Sequence, residues 1–200
     1  QQSVLQANKS QLTPKQAIQA AEKKYTDAIT AELDVYAPLH LKQAQESLTQ
    51  AQESLLKTPK DAQGTALMSA LAAQIFIDDG YTNKKTVLEN LTDVLTQNTE
   101  LLRLEAPTRL PIDYETIKIE LLDLIELIEK GQIADAIRGQ IPLLAEMLKL
   151  ELKTLISIHL SEAEALLEKA DNINAEKYAQ VSFKKANDVF LETTNFINKN

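Results

Sequence analysis

The chain of 200 residues is long enough to bury a hydrophobic core, and its 44% hydrophobic content with 4 Gly and 6 Pro is typical of a globular protein. Its formal net charge of −8 disfavours binding to nucleic acid or to anionic lipid, which attract clustered Lys and Arg. The absence of cysteine excludes disulfides, thiolate zinc sites and cysteine nucleophiles.

Good helix formers dominate the sequence, whereas aromatic residues make up 4% and Val and Thr do not alternate in runs. We therefore predict an all-α fold, an antiparallel bundle of six to eight helices. A disordered tail is expected at residues 1–12 and a single helical-bundle domain at residues 13–200. Because the chain starts at Gln1 without Met, we expect that a leader was removed.

The first predicted hairpin comprises residues 13–57. Thr13 and Pro14 form a helix start signal, and Gln16 is placed to complete a capping box. This helix is predicted to run to about Leu33, and a turn leads into a second helix from Pro38 to Lys57. The same start signal returns at Thr58–Pro59.

A central insert is predicted for residues 58–140. Its weak point is Asp78–Asn83, where the polar run around Gly80 favours a break or kink. Ala106–Pro111 is predicted to be a loop, because it contains two prolines four positions apart. A helix is then predicted from Asp113 to Lys130, closed by Gly131, and a short helix near Ile133–Arg138 follows it.

The second predicted hairpin, residues 141–198, contains the most apolar segment, Ile141–Leu160. Pro142 indicates its start, since proline is tolerated in a first helical turn. Nearly all of its circumference is apolar, which predicts a central helix buried among others, with Leu148 and Leu155 at the middle of its apolar face. Its charged residues exclude a membrane span, and no transmembrane segment is predicted in this chain.

The two hairpins form an internal repeat. A shift of 142 residues (178 − 36) places Tyr36–Ala37 on Tyr178–Ala179. It also aligns several small or apolar residues: Ala21 with Ala163, Ala28 with Ala170, Leu41 with Phe183, Ala44 with Ala186, and Leu48 with Phe190. We predict that the two tyrosines occupy equivalent positions in two similar helical hairpins.

The segment 31–48, with its Tyr36-Ala37-Pro38 motif followed by Leu41, Ala44 and Leu48 at helical spacing, resembles a domain of unknown function in bacterial envelope proteins. That domain occurs in lipoproteins and ahead of peptidoglycan-binding OmpA-type domains. In the second copy Gln180 replaces the proline. The resemblance implies a periplasmic or envelope-associated protein.

The segment Leu121–Ile137, followed by Ile141-Pro142-Leu143 and a hairpin, resembles the YfdX family of all-helical bacterial proteins linked to stress and virulence. Neither resemblance supplies a catalytic residue. Both imply a non-enzymatic envelope protein.

The sharpest candidate for chemistry is a weak metal site at His159 and Glu162, with Glu151 nearby on the wheel of the same helix. Histidine is the commonest metal ligand. The alternative interpretation is that this face opens to solvent. Glu151 lies about 12 Å along the helix from His159, so another helix would have to supply further ligands.

Other polar residues are predicted to be ordinary surface groups. His40, the only other histidine, is expected at the surface. The acidic row Glu120, Asp123, Glu126 and Glu129 is expected to form a solvated helix face. No phosphate-binding loop, nucleophile elbow or metalloprotease motif is present, so no catalytic residue and no cofactor is predicted.

Tyr36 and Tyr178 are candidate interaction residues, because tyrosine is enriched at interfaces. Their alternative role is packing at the end of each hairpin. We therefore expect a non-enzymatic protein-binding or structural module, with another protein as partner and self-association left open. The alternatives are a carrier of an apolar small molecule or lipid and a weak metal-handling protein. A binding module predicts an exposed apolar groove, whereas a carrier predicts an enclosed apolar cavity.

Overall fold

The computed structural model describes residues 12–57 and 60–197. These residues form helices and turns without a strand, which confirms the predicted all-α fold. The helices within these ranges are α1 (Pro14–Thr30), α2 (Leu33–Tyr36), α3 (Pro38–Leu55), α4 (Lys60–Asn90), α5 (Thr92–Arg103), α6 (Ala106–Arg109), α7 (Pro111–Glu129), α8 (Ile133–Asn172), α9 (Ala175–Tyr178) and α10 (Gln180–Ile197). Apart from Leu12, the predicted tail lies outside the described residues, as does the start signal Thr58–Pro59.

Several predicted helix ends are confirmed. Thr13 Oγ1 accepts a hydrogen bond from Gln16 N–H at 3.3 Å, and Gln16 Oε1 accepts one from Thr13 N–H at 3.0 Å, which completes the capping box. Pro38 is the first residue of α3. Gly131 adopts a left-handed φ of +76° just after α7, where a residue with a side chain would be strained.

The predicted break at Asp78–Asn83 is wrong, because α4 is continuous from Lys60 to Asn90. Gly80 permits close packing at this point. A Cβ atom added to it would lie 3.0 Å from Leu33 Cδ2 and 3.5 Å from Ala37 Cβ. The helix is interrupted only later in the sequence, at Leu91, before α5 begins.

The start predicted at Pro142 and the separate short helix before it are also wrong, since α8 runs from Ile133 through Pro142 to Asn172. A proline inside a helix removes one backbone hydrogen bond. Residues before and after this proline pack closely against their neighbours, and this packing stabilises the continuous helix. A Cβ atom on Gly139 would lie 2.6 Å from Leu124 Cδ2, and Ala136 and Leu143 are buried.

The chain divides into two compact units. One contains the residues up to Leu95 together with Lys118–Leu143. Its core lies where α4 packs against α1 and α3. The hydrophobic clusters there join residues of all three helices and of the turn between α1 and α3: Ala17, Ile18, Ala21, Ala28, Leu33, Ala37, Leu41, Ala44, Leu48, Ala51, Leu67, Ala70, Leu71, Ala73 and Ile77.

The other unit contains Thr96–Ile117 and the residues from Leu144 onward. Met147, Leu150 and Thr154 are buried in it, but Leu148 is 50% exposed. The prediction that Leu148 occupies the core is therefore wrong. Because the helix is apolar over most of its circumference, the sequence pattern could not identify which part faces its neighbours.

Among the described residues, none of the helices combines the length and hydropathy of a membrane span.

Candidate functional site

One backbone turn occurs three times in the described chain. Glu32, Glu105 and Asn174 each adopt the left-handed conformation, with φ of 59°, 59° and 56°. Each is followed by a four-residue helix, α2, α6 or α9, and then by another long helix. The predicted equivalence of Tyr36 and Tyr178 is confirmed at this turn, because each ends its four-residue helix. The sequence repeat did not reveal the middle turn, whose four-residue helix Ala106–Arg109 lies within the predicted loop.

The first turn and the last turn each join two long helices into a hairpin, and the residues of these two hairpins align under the 142-residue shift. We call α1–α3 the first hairpin, and residues 156–197, which include α9, α10 and the end of α8, the C-terminal hairpin. In the first hairpin, the face between the two long helices is covered by α4. Its alanines Ala21, Ala28 and Ala44 are 0% exposed.

In the C-terminal hairpin the equivalent face forms an open apolar groove, which we call the C-terminal groove. Its volume is about 720 Å³. Each buried residue that the first hairpin contributes to its core has its 142-residue equivalent in the lining of this groove, and none of these equivalents is buried. The lining residues are Ile156, His159, Leu160, Ala163, Leu166, Leu167, Ala170, Ala175, Ala179, Ser182, Phe183, Ala186, Val189, Phe190 and Thr193.

The alanines show the contrast most directly. Ala37 and Ala44 are fully buried, whereas their equivalents Ala179 and Ala186 are exposed. Among residues 156–196, no residue is buried. This hairpin therefore presents the face of a helix-packing core without a covering helix.

The turn of the first hairpin is bound by polar groups of α4. Asn83 Nδ2 donates a hydrogen bond to the carbonyl oxygen of Tyr36 at 2.8 Å, and Lys84 Nζ donates one to the carbonyl oxygen of Ala31 at 2.6 Å. The Lys84 ammonium also lies 4.6 Å from the centroid of the Tyr36 ring. Burial raises the pKa of the Tyr36 phenol above its ordinary value of 10.0, and the nearby Glu32 carboxylate acts in the same direction.

At the corresponding turn of the C-terminal hairpin, Tyr178 is 80% exposed. Its ring is approached by Lys177 of its own four-residue helix, with Nζ 5.5 Å from the ring centroid. The two candidate interaction residues thus differ in their surroundings. Tyr36 is half-buried against α4, whereas Tyr178 lies at the open end of the C-terminal hairpin.

The candidate metal ligands His159 and Glu162 are close together but exposed. His159 Nδ1 lies 3.2 Å from Glu162 Oε2, and their side chains are 72% and 66% exposed. Glu151 is not part of this pair, because its Oε2 accepts a hydrogen bond from Gln97 Nε2 at 2.6 Å. In the described ranges no group of three or more His, Cys, Asp or Glu is placed to hold a metal ion.

The prediction of an ordinary surface position is wrong for His40 and for Glu129. His40 Nδ1 lies 2.6 Å from Glu129 Oε1, and the side chains are 21% and 1% exposed. The Glu129 carboxylate also accepts hydrogen bonds from the backbone N–H groups of Leu39 and His40, each at 3.0 Å. This buried carboxylate therefore satisfies free N–H groups in the first turn of α3.

Sequence reasoning did not identify the C-terminal groove as a site, although the signal was present. The repeat had already aligned Ala163, Ala170, Phe183, Ala186 and Phe190 with residues that the first hairpin buries. What the sequence did not show was that α4 covers only one of the two copies. Comparison of the chain with family models, with curated proteins and with solved structures finds no match.

Proposed function

We propose that this protein is a non-enzymatic protein-binding module that receives a segment of another protein in its C-terminal groove. The observation that carries the proposal is the uncovered apolar face of the C-terminal hairpin. Isolated exposed apolar residues are common, but a contiguous apolar groove marks an interaction surface. Tyr178 at its end adds a residue type that is enriched at protein interfaces.

Carriage of an apolar small molecule or lipid is the second candidate function. The volume of about 720 Å³ favours it, because this value falls within the range of ligand pockets. The openness of the groove favours a protein segment instead, since Ala179 just before α10, and Ala186 and Val189 within it, are exposed. A small ligand in such a groove would leave much of its own surface in water. The metal-handling alternative is supported by the exposed pair His159–Glu162. This pair provides two ligands, whereas a zinc site needs three or four.

The bacterial periplasm or envelope remains part of the proposal as its location. Its support is the resemblance carried by Tyr36-Ala37-Pro38. The resemblance to the YfdX family supports a role in stress as a further part of the proposal. Partner binding through the groove does not depend on this location.

A single-tryptophan reporter tests the proposal, because the chain contains no Trp. The Phe190→Trp variant places the indole in the groove, and Val181→Trp, at an 83% exposed position of the same helix, is the matched control. Amphipathic helical peptides should shift the emission of the groove reporter to the blue and leave the control unchanged. Palmitate and phosphatidylglycerol vesicles should shift neither. A shift with palmitate or vesicles alone would favour the carrier, and no shift with any addition would contradict both functions.

A further inference from the structure

We infer that the C-terminal groove receives an α-helix from another polypeptide, and that this helix binds in the register in which α4 lies on the first hairpin. The inference rests on the proposed protein-binding function and specifies its partner. The first hairpin with α4 on it serves as the template for this complex. The two hairpins share the turn geometry, and each core residue of the first hairpin corresponds to a lining residue of the C-terminal groove.

The hairpin formed by α5, α6 and α7, which we call the middle hairpin, supports the same arrangement. Its helices α5 and α7 are contacted by the helix that follows them. Gln97 Nε2 donates to Glu151 Oε2 at 2.6 Å, and Lys153 Nζ lies 3.1 Å from Asp113 Oδ2. Both earlier hairpins therefore have a third helix against them, and the described residues supply none that covers the C-terminal groove.

Small residues set the register of the bound helix. In α4, Ala66, Ala70 and Ala73 are nearly or fully buried, and Gly80 lies against Leu33 and Ala37. The residues equivalent to Leu33 and Ala37 are Ala175 and Ala179, both in the groove lining. A helix that follows the same path needs Gly or Ala opposite Ala179, because a larger side chain would hold the two helices apart.

Polar groups fix the end of the bound helix. Asn83 and Lys84 of α4 bind the turn carbonyls of Tyr36 and Ala31, three and four residues after Gly80. The equivalent carbonyls belong to Tyr178 and Ile173, and the Tyr178 side chain beside them is exposed, with the Lys177 ammonium already 5.5 Å from its ring centroid. The partner helix should therefore carry an amide side chain and a lysine at these two positions.

The partner should differ from α4 at the Asp78 position. Lys24 of the first hairpin pairs with Asp78 at 2.6 Å, but the equivalent of Lys24 is Leu166, which is 65% exposed. A carboxylate at the Asp78 position would lose its ion pair and lie beside an apolar side chain. The partner helix should therefore carry an apolar residue there.

The α4 helix of a second copy does not fit as the occupant, because Ala66, Ala70 and Ala73 are covered in its own first hairpin. The inferred partner is a separate amphipathic helix with an alanine-rich and leucine-rich face. Its sequence should contain Gly or Ala, an amide side chain three residues later and a lysine four residues later.

The test uses the full chain with the Phe190→Trp reporter and a synthetic peptide of residues 62–90 that contains Asp78→Leu. We expect saturable binding, with Kd about tenfold lower than for the peptide with native Asp78. Adding Gly80→Leu to the Asp78→Leu peptide should raise Kd at least about tenfold. All of these comparisons use the same reporter protein, so a difference between peptides does not arise from a difference in protein folding.

Two protein variants locate the binding. Ala186→Arg in the groove should abolish the fluorescence response, and Val181→Arg on the exposed side of α10 should leave Kd unchanged, with circular dichroism checking helix content in both. Equal Kd values with and without Gly80→Leu would overturn the register. If other helical peptides bind and none of the α4-type peptides does, this inference is overturned and the proposed function stays intact. No peptide binding at all would overturn both, and a dimer in sedimentation that Ala186→Arg dissociates would identify a second copy as the occupant and overturn the inferred partner.

Discussion

The first and C-terminal hairpins use the same turn and the same spacing of small and apolar residues, but they differ in what covers them. In the first hairpin, α4 packs against the face that contains Ala21 and Ala44, both 0% exposed. In the C-terminal hairpin the equivalent alanines, Ala163 and Ala186, line an open groove. The pattern of such a hairpin therefore defines a surface that accepts a third helix, and it does not specify which chain supplies that helix.

The difference follows from the geometry of helical layers. Two antiparallel helices bury part of their apolar stripes against each other, but a wide stripe needs a further element to remove the rest from water. Phe183 and Phe190 replace Leu41 and Leu48, and Leu166 replaces Lys24, so the uncovered face carries larger or more apolar side chains at these positions. Exposure of such a face is typical of a docking site.

The largest expected effect separates equivalent core positions. Leu41→Ala should lower the free energy of unfolding by roughly 2–5 kcal/mol, because Leu41 is 6% exposed and its loss leaves a cavity under α4. Phe183→Ala should cost about 1 kcal/mol or less, since Phe183 is only partly buried and its loss leaves no enclosed cavity. Urea unfolding of both variants, followed by circular dichroism, measures the two values.

Equal losses in the two variants would mean that the C-terminal hairpin is buried in solution and would break the comparison. Addition of the Asp78→Leu peptide of residues 62–90 should make the Phe183→Ala cost larger, because the peptide stabilises the folded state according to its affinity and loses a groove contact in this variant.

A smaller effect is expected at the start of α3, which the Glu129 carboxylate holds and whose counterpart, α10, begins with the exposed residues Gln180, Val181 and Ser182. Glu129→Gln should destabilise the protein by about 1–3 kcal/mol, because a buried charged acceptor of backbone N–H groups is replaced by a neutral amide. Its control is Glu126→Gln. The Glu126 side chain is 38% exposed and pairs with Lys130, so this substitution should change stability by about 0.5 kcal/mol or less. Thermal unfolding measures both changes. An unchanged stability in Glu129→Gln would show that the buried carboxylate contributes nothing to the stability of the first hairpin.

Local signals in the sequence predicted the fold class and those helix ends that depend on neighbouring residues. The capping box at Thr13 and the left-handed Gly131 are examples, because each needs only a few adjacent positions. The continuity of α4 and α8 was missed, since Gly80 and Pro142 act as helix breakers unless tertiary packing outweighs their cost.

For the candidate site, the repeat aligned groove residues with core residues, but nothing local to residues 156–197 shows that the covering helix is missing. The burial of Glu129 was hidden for the same reason. Its partners Leu39 and His40 are 90 and 89 residues away in the sequence. Long-range contacts of this kind leave no periodic pattern in the sequence around either partner.

The smallest expected effect concerns the turn itself. Glu105 occupies the left-handed region with φ of 59°, which costs a residue with a Cβ atom about 1–2 kcal/mol relative to its preferred conformation. Glu105→Gly should relieve this strain, but glycine gains conformational freedom in the unfolded chain, worth about 0.5–1 kcal/mol. The exposed pair of Glu105 with Arg109, at 3.5 Å, adds little.

We therefore expect Glu105→Gly to raise the free energy of unfolding by up to about 1 kcal/mol. Asn174→Gly is the matched variant in the C-terminal hairpin and should be close to neutral, because asparagine adopts this conformation readily. The contrast has a structural reason: the residue after Glu105, Ala106, is 0% exposed, so packing holds the strained glutamate in place, whereas the residue after Asn174 is not buried. Urea unfolding of the two variants measures the difference, and a destabilising Glu105→Gly would show that the glutamate side chain, and not the backbone conformation, determines the stability of that turn.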